Sequence, residues 1–180
     1  MEKTRKPLMM VAIDESEHSF YALEWALTNF FPSQISHYFQ LMLVHAKPST
    51  SSLVEIKGMR LTFVKNLEAE FVSILGEDLE SMADKTIQKA KEICGRKSVE
   101  NVITKVLEGD VRNVLCEAAD KFDATILVLV SHGYGAVKRV VLGSVSDYCV
   151  QHAQCSVMVV KRPKIKRISS SSRLHRNSVQ

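Results

Sequence analysis

The amino-acid sequence predicts an α/β fold in which a five-stranded parallel sheet carries helices on both faces. Short, continuous apolar runs alternate with segments of helical periodicity, and the links between them are short. Continuous apolar runs are typical of parallel strands, because helices cover both faces of such a sheet. Right-handed crossovers between the strands then leave few possible topologies.

The first predicted strand is the apolar run 8–13, and a helix is expected to open at residues 14–16. Pro32 ends that helix. Its apolar face comprises Phe20, Leu23, Leu27 and Phe30. Asp14 follows the carboxyl end of the strand, which is the ligand side of a doubly wound sheet. Its carboxylate has two alternative roles: a contact to a ribose hydroxyl or a metal ion, or the N-cap of the helix.

The second strand is predicted over residues 39–46, and the serine-rich and proline-containing segment 47–52 is a loop by composition. A lone histidine near a strand end, such as His45, is more typical of a hydrogen-bonded packing residue than of a catalyst. Residues 53–75 are predicted to form a helical insert, with a second main helix after Gly76. The insert is more apolar than an exposed loop requires, so it either packs over the sheet edge or covers the ligand pocket.

The second half of the chain supplies the remaining strands. Apolar and polar side chains alternate over residues 99–107, which predicts a third strand. Gly109-Asp110 is predicted to begin the next helix. A fourth strand is expected at 125–130, and the fifth covers 156–160. Another helix is expected between these two strands, beginning at Gly143-Ser144.

The loop after the fourth strand is interpreted as a phosphate cradle. Residues 131–135 contain two glycines, and Gly143-Ser144 begins the next helix. Glycine lets backbone N–H groups approach an anion closely, and the first turn of a helix presents unpaired donors at the positive end of its dipole. In the alternative interpretation the glycines only turn the chain, and Ser144, three residues before Asp147, only caps the helix.

Several kinds of enzyme are disfavoured. The sequence contains no Gly-x-x-x-x-Gly-Lys-Ser/Thr, and Lys138 stands where the third glycine of a dinucleotide-binding motif is expected. A Walker-type NTPase and an NAD enzyme are therefore not expected. Ser131 and His132 are neighbours in sequence, whereas a hydrolytic triad needs partners that converge from separate segments. No catalytic residue is predicted.

The glycine spacing in residues 130–144 carries a family resemblance. Gly133 is followed, after nine residues, by Gly143-Ser144, and the apolar strand 156–160 comes next. This segment resembles the universal stress protein family, whose nucleotide-binding members carry Gly-x-x-Gly, nine residues and Gly-Ser/Thr. Val130 stands where the first glycine of the motif is expected, so a side chain stands where bare backbone would face the ribose and phosphates.

The resemblance covers nearly the whole predicted folded part. Residues 11–16 and 43–46 are similar to the family's first two strand ends, and residues 147–149 and 155–163 are similar to its plant members. The resemblance implies the strand order 3-2-1-4-5, with the last strand at an edge. It also implies a homodimer that covers this edge by joining two copies of the strand 156–160.

The resemblance further implies a site for an adenine nucleotide, ATP or AMP, with Mg²⁺ accompanying a triphosphate. The implied binding residues are Ala12, Ile13, Asp14, Ala46, Val130, Ser131, His132, Gly133, Gly143, Ser144 and Val145. Asp14 is also the implied metal ligand, and the backbone near Ala46 would lie against the adenine. A nucleotide-dependent switch in partner affinity is the leading hypothesis. The alternatives are a nucleotide-free interaction protein of the same fold and a slow ATPase.

Length and composition predict one domain over residues 1–162. The chain has 180 residues, of which 46% are hydrophobic and 24% charged, as in ordinary globular proteins. It contains no run of eighteen apolar residues, and its start lacks the apolar region of a secretory signal. A cytosolic location, with the nucleus as a second one, is expected.

The four cysteines lack Cys-x-x-Cys spacing and are expected to be reduced.

The positive charge is concentrated at the end of the chain. The net charge is +4, yet residues 161–180 hold seven of the 24 Lys and Arg and no acidic residue. Residues 163–180 are therefore predicted to be a basic, disordered tail. Residues 166–169 resemble a site for basophilic kinases, with Ser169 as the acceptor. Neither nucleic acid nor a membrane is an expected partner.

Overall fold

A computed structural model of the chain describes residues 5–32, 38–49, 65–131 and 142–163, with only the backbone at 65–72. The elements are β1 (Leu8–Ala12), α1 (Glu17–Phe30), β2 (Gln40–Lys47), α2 (Lys65–Arg96), β3 (Ile103–Glu108), α3 (Val111–Lys121), β4 (Ala124–Val130), α4 (Ser144–His152) and β5 (Ser156–Val160). The strands pair in parallel in the order β3-β2-β1-β4-β5. The predicted fold class and strand order are confirmed.

Helices bury both faces of the sheet, and alternate strand residues supply the two cores. Met9 and Val11 of β1 pack in the core beneath α1 and α2. Leu8 and Met10 pack on the opposite face, in the core beneath α3 and α4. All four side chains are buried. This two-sided burial explains why the strand sequence is apolar throughout.

The start of α1 resolves one of the two roles considered for Asp14. Ser16 is the N-cap, and its hydroxyl oxygen accepts a hydrogen bond from the Ser19 N–H at 3.2 Å. The Asp14 carboxylate instead accepts from the Ser16 N–H at 2.9 Å. Asp14 therefore stabilises the turn before the helix and does not cap the helix itself.

The second helix is longer than expected. The sequence predicted a helical insert and a separate main helix after Gly76, but α2 runs without interruption from Lys65 to Arg96. A glycine inside a helix costs only about 1 kcal/mol relative to alanine. Burial of Ala83, Ile87 and Ala90 against the sheet stabilises the helix on the C-terminal side of that glycine. Residues 53–64 of the insert lie outside the described residues.

The third strand begins later than predicted. The alternation from residue 99 suggested a strand over 99–107, whereas β3 spans Ile103–Glu108. Ser98 and Asn101 have φ values of 56° and 57°, which are incompatible with an extended strand. The local backbone geometry therefore prevents the strand from beginning before Ile103. Val99 is nevertheless buried, in keeping with its apolar character.

Several predictions fall outside the part of the chain that the structure describes. They concern His132, Gly133, the basic tail from residue 164 and its acceptor Ser169. The boundary between domain and tail stays a prediction. Within the described ranges, no helix combines the length and apolarity needed to span a bilayer.

Candidate functional site

A cavity of about 310 Å³ lies at the carboxyl ends of β1, β2 and β4. The helix that follows β1 packs on one face of the sheet, and the helix that precedes β5 packs on the other. The boundary between β1 and β4 is thus the point where the strand order reverses, which is where open α/β sheets bind ligands. The cavity is large enough for a small organic ligand.

The cavity gathers about half of the predicted binding residues. Those that line it are Ala12, Ile13, Asp14, Ala46, Val130 and Val145. Three further predicted residues are within two sequence positions of Val130 or Val145 but do not line the cavity themselves: Ser131, Gly143 and Ser144. His132 and Gly133 lie outside the described part of the chain.

Ser131 has a structural role that its sequence position did not reveal. Its N–H donates to the carbonyl oxygen of Val160 at 3.0 Å, which continues the pairing between β4 and β5. Ser131 is also buried, with 6% of its surface exposed. This N–H group is therefore already satisfied by the neighbouring strand and is not directed toward a ligand.

The start of α4 borders the cavity but is capped differently from the prediction. Gly143 is the N-cap, without a side-chain cap, and Ser144 is the first helical residue and exposed. The proposed serine cap paired with Asp147 is therefore wrong. Ser146, which the sequence did not single out, donates from its hydroxyl to the Gly143 carbonyl at 3.0 Å. The φ of Gly143 is −65°, which any residue adopts.

The first turn of α4 nevertheless presents backbone donors that have no acceptor within the helix. The first intrahelical bond runs from the Asp147 N–H to the Gly143 carbonyl oxygen at 2.8 Å. The N–H groups of residues 144–146 precede it and have no acceptor within the helix. Val145, the middle residue of these three, lines the cavity. The positive end of the helix dipole thus lies beside the cavity, as an anion site requires.

The backbone of Asp14, another residue that lines the cavity, is fixed by hydrogen bonds. Its carbonyl oxygen accepts from the Ser19 hydroxyl at 2.8 Å, and its N–H donates to the same hydroxyl oxygen at 3.2 Å. Ser19 is buried and also lines the cavity. These contacts fix the backbone that carries the Asp14 carboxylate.

The described residues contain no group of three or more side chains that could hold a metal ion. A magnesium ion bound by Asp14 would therefore need to take its remaining ligands from phosphate oxygens and water, which is common for this ion. In that arrangement the ion would arrive with a triphosphate.

His45 is a buried, hydrogen-bonded residue, which confirms the prediction for it. It is 3% exposed, and its Nδ1 lies 3.0 Å from the carbonyl oxygen of Ile13. The bond joins β2 to the residue that follows β1. Its Nε2 lies 3.9 Å from a carboxylate oxygen of Glu15. Both side chains line the cavity.

The sequence analysis missed the cavity walls that come from distant helices. Leu79 and Met82 of α2 and Val111 and Leu115 of α3 line the cavity. Their helical periodicity indicated only a buried face, because periodicity does not report which neighbour covers that face. The walls are therefore largely apolar, as in most small-molecule sites.

Lys47 is a further lining residue that the sequence analysis did not consider as a ligand contact. Its ammonium group pairs with Glu80 of α2 and lies 4.0 Å from a carboxylate oxygen of Glu108. The hydrogen bond to Glu80 raises the pKa of Lys47. Its position directly after Ala46, at the ligand side of the sheet, was the available signal.

The four cysteines form no disulfide bond in the structure, and burial disfavours thiol chemistry at two of them. Burial raises the pKa of Cys94 to about 11. Burial, followed by the proximity of Cys116 and Cys155, raises the pKa of Cys149 to about 12. These two groups are protonated at neutral pH, so they are not nucleophiles.

Comparison with known proteins identifies relatives of this chain. The universal stress protein family matches residues 8–161. Universal stress protein PHOS34 of Arabidopsis thaliana is 28% identical over 167 residues, covering 85% of this chain and 61% of the relative. The chain thus spans about three fifths of that relative's length.

Solved structures share the fold. Universal stress protein UspA from Lactobacillus plantarum has a TM-score of 0.65 at 19% identity, covering 87% of this chain and 98% of its own. A universal stress protein family member from Arabidopsis thaliana, solved with AMP bound, has a TM-score of 0.60 at 23% identity, with coverages of 91% and 97%. Because the family matches most of the sequence and the fold agrees, this chain belongs to the universal stress protein family and resembles its plant members.

Proposed function

We propose that this protein binds an adenine nucleotide, AMP or ATP, in the cavity at the carboxyl ends of β1, β2 and β4. The observation that carries the proposal is the position of the α4 N-terminus beside an apolar cavity at the switch point of the sheet. We favour a binding module over an enzyme, because the described residues that line the cavity are largely apolar. The bound nucleotide would alter the affinity for partners.

The chemistry of the cavity suggests how the nucleotide lies. The phosphate groups would bind to the first-turn N–H groups of residues 144–146, together with His132 and Gly133. The ribose hydroxyl groups would donate hydrogen bonds to the carboxylate of Asp14. The adenine would pack against Ala46 and the apolar residues of α2 and α3 that line the cavity. Magnesium would bind to Asp14 together with a triphosphate.

A solved relative supports this choice of ligand. The Arabidopsis family member that shares the fold was solved with AMP bound. The present chain keeps the second part of the family motif, Gly143-Ser144, and departs from the first part at Val130. The proposal therefore rests on the geometry of the cavity as well as on the relative.

A second candidate function is a nucleotide-free interaction protein of the same fold. Val130 lines the cavity and stands where the family motif has its first glycine, so it adds a side chain that the motif lacks at this position. In this alternative, surfaces of the protein would bind partners without a nucleotide. A homodimer through Ser156–Val160, a cytosolic or nuclear location and phosphorylation at Ser169 are compatible with both candidates.

Thermal unfolding with AMP, ATP and ATP plus Mg²⁺ tests the proposal. A ligand present at a hundred times its dissociation constant stabilises a protein by about 2.7 kcal/mol, which produces a clear shift in melting temperature. Inorganic phosphate at the same concentration is the control for a general anion effect. The absence of a shift at millimolar nucleotide would favour the nucleotide-free alternative, whereas a shift without release of phosphate would exclude the slow ATPase.

A further inference from the structure

We propose that His45 and Glu15 form a pair of hydrogen-bond acceptors that recognises a donor group on the nucleotide. This inference rests on the proposed nucleotide binding and concerns how the same cavity selects its ligand. It assigns a binding role to two side chains that are not among the binding residues implied by the family resemblance. The donor group is either the amino group of the base or a hydroxyl of the ribose.

The first step is the tautomer of His45. Its Nδ1 lies 3.0 Å from the carbonyl oxygen of Ile13, and a carbonyl oxygen only accepts hydrogen bonds. The Nδ1 atom must therefore carry the hydrogen. In the neutral imidazole the lone pair is then on Nε2, which acts as an acceptor.

The second step is the distance between Nε2 and Glu15. The carboxylate oxygen of Glu15 lies 3.9 Å from Nε2, which is beyond the range of a direct hydrogen bond. An ionised carboxylate also only accepts. When the imidazole is neutral, the histidine and the carboxylate face each other as two acceptors. A donor atom placed between them would lie within about 3 Å of both.

The third step is the environment of the pair. His45 is 3% exposed and lines the cavity, so its Nε2 has little access to bulk water. A buried acceptor without a donor is costly, and a ligand that supplies the donor removes this cost. Among the described residues that line the cavity there is one lysine, Lys47, and it is paired with Glu80. Its ammonium group is therefore committed to another carboxylate.

The charges in the cavity indicate which part of a nucleotide meets the pair. Glu15 and Asp14 are adjacent in sequence and both line the cavity. Two carboxylates repel phosphate but accept hydrogen bonds from amino and hydroxyl groups. The pair should therefore contact the nucleoside part, while the phosphate lies toward α4.

Titrations of two variants with a set of nucleotide analogues test the inference. His45→Asn keeps a donor for the Ile13 carbonyl oxygen but removes the second ring nitrogen. Glu15→Ala removes the other acceptor at a side chain that is 52% exposed, so the fold should tolerate it. The ligands are AMP, purine riboside 5′-monophosphate, which lacks the amino group, and the 2′-deoxy and 3′-deoxy forms of AMP. All titrations use one buffer at one pH, so that a difference between variants does not arise from a change of conditions.

The expected result is a loss of selectivity in both variants. The wild-type protein should prefer AMP about fivefold to tenfold over the analogue that lacks the contacted donor, as one net hydrogen bond allows. In each variant this preference should shrink, because AMP binds more weakly while that analogue keeps its affinity. The analogue that shows this behaviour identifies the donor as the amino group or as a hydroxyl.

Two outcomes would overturn the inference. If the variants weaken all four ligands equally, the residues only shape the cavity; if they weaken none, they do not contact the ligand. Both results leave nucleotide binding itself intact. If the wild-type protein binds no nucleotide, the proposed function fails together with the inference, and that result is seen before any variant is made.

Discussion

Gly109 has a backbone conformation that side chains rarely adopt. Its φ is 142°, and a Cβ built at this position would lie 2.8 Å from a methyl carbon of Val114. We expect Gly109→Ala to lower the free energy of unfolding by about 1–3 kcal/mol, because the new side chain strains the backbone and meets α3. Urea denaturation measures the change.

Gly95 provides a matched control. It lies in the last turn of α2, and a Cβ there would meet nothing within 4 Å. Gly95→Ala should leave the stability unchanged or raise it by up to about 1 kcal/mol. Equal losses in the two variants would refute the argument that backbone geometry requires glycine at position 109.

Val130 tests whether the altered family motif obstructs the cavity. Val130→Gly should tighten the binding of AMP, because it removes a side chain from the cavity wall. It should also cost roughly 1 kcal/mol through added chain freedom, and more through lost packing against the core. Isothermal titration and denaturation measure the two effects separately.

Val160 is the control for this substitution. It pairs with Val130 in the sheet and is buried, but it is not one of the residues that line the cavity. Val130→Ala and Val160→Ala should both lower stability, and only the first should strengthen nucleotide binding. Unchanged affinity in Val130→Ala and Val130→Gly would mean that the valine does not obstruct the ligand.

At the scale of an element, α3 depends on its N-cap. The Asp110 carboxylate accepts hydrogen bonds from the N–H groups of Arg112 at 3.1 Å and Asn113 at 3.4 Å. Asp110→Ala should therefore lower the free energy of unfolding by about 1 kcal/mol. Asp120→Ala removes the same charge near the other end of the helix and should have little effect or stabilise slightly. A larger loss at Asp120 would contradict the capping argument.

The contribution of Asp110 should depend on pH. The hydrogen bond from the Arg112 guanidinium is the main cause that lowers the pKa of Asp110. A group whose pKa is lowered on folding stabilises the protein above its unfolded pKa, and this stabilisation is lost as the pH falls through the folded pKa. The stability difference between wild type and Asp110→Ala should thus shrink below about pH 4. A constant difference down to pH 2 would exclude the charge as its source.

At the scale of the whole molecule, β5 leaves one edge of the sheet open within the described chain. The Val160 carbonyl points toward β4, because it accepts from Ser131. Backbone groups alternate along a strand, so those of Val159 point away from β4. An apolar edge of this kind is a site for pairing with another chain.

This geometry gives a test for the proposed homodimer. Val159→Pro removes only an outward N–H group, so it should abolish the dimer in sedimentation velocity while the monomer remains folded. Met158→Pro removes an inward N–H group and should instead destabilise the sheet. A dimer that persists in Val159→Pro would show that the two copies do not pair through β5.

The sequence allowed better prediction of strands and helices than of the candidate site. Buried strands such as β1 and caps such as Asp110 are encoded by residues that are neighbours in the chain, so the sequence predicted them. The cap of α4 was mistaken, because a Ser-x-x-Asp spacing fits a cap one residue away from the true one. The continuity of α2 through Gly76 was missed, since packing outweighs the weak propensity of one residue.

What the sequence determined by itself is the alternation of buried strands and amphipathic helices, and, through the glycine spacing, the family. Hydrophobic periodicity encodes which residues are buried, and this was sufficient for the fold class. Only the tertiary structure decided that Leu79 and Val111 form walls of one cavity and that His45 faces Glu15. Such neighbours are brought together by the packing of helices against the sheet, and no local pattern records that packing.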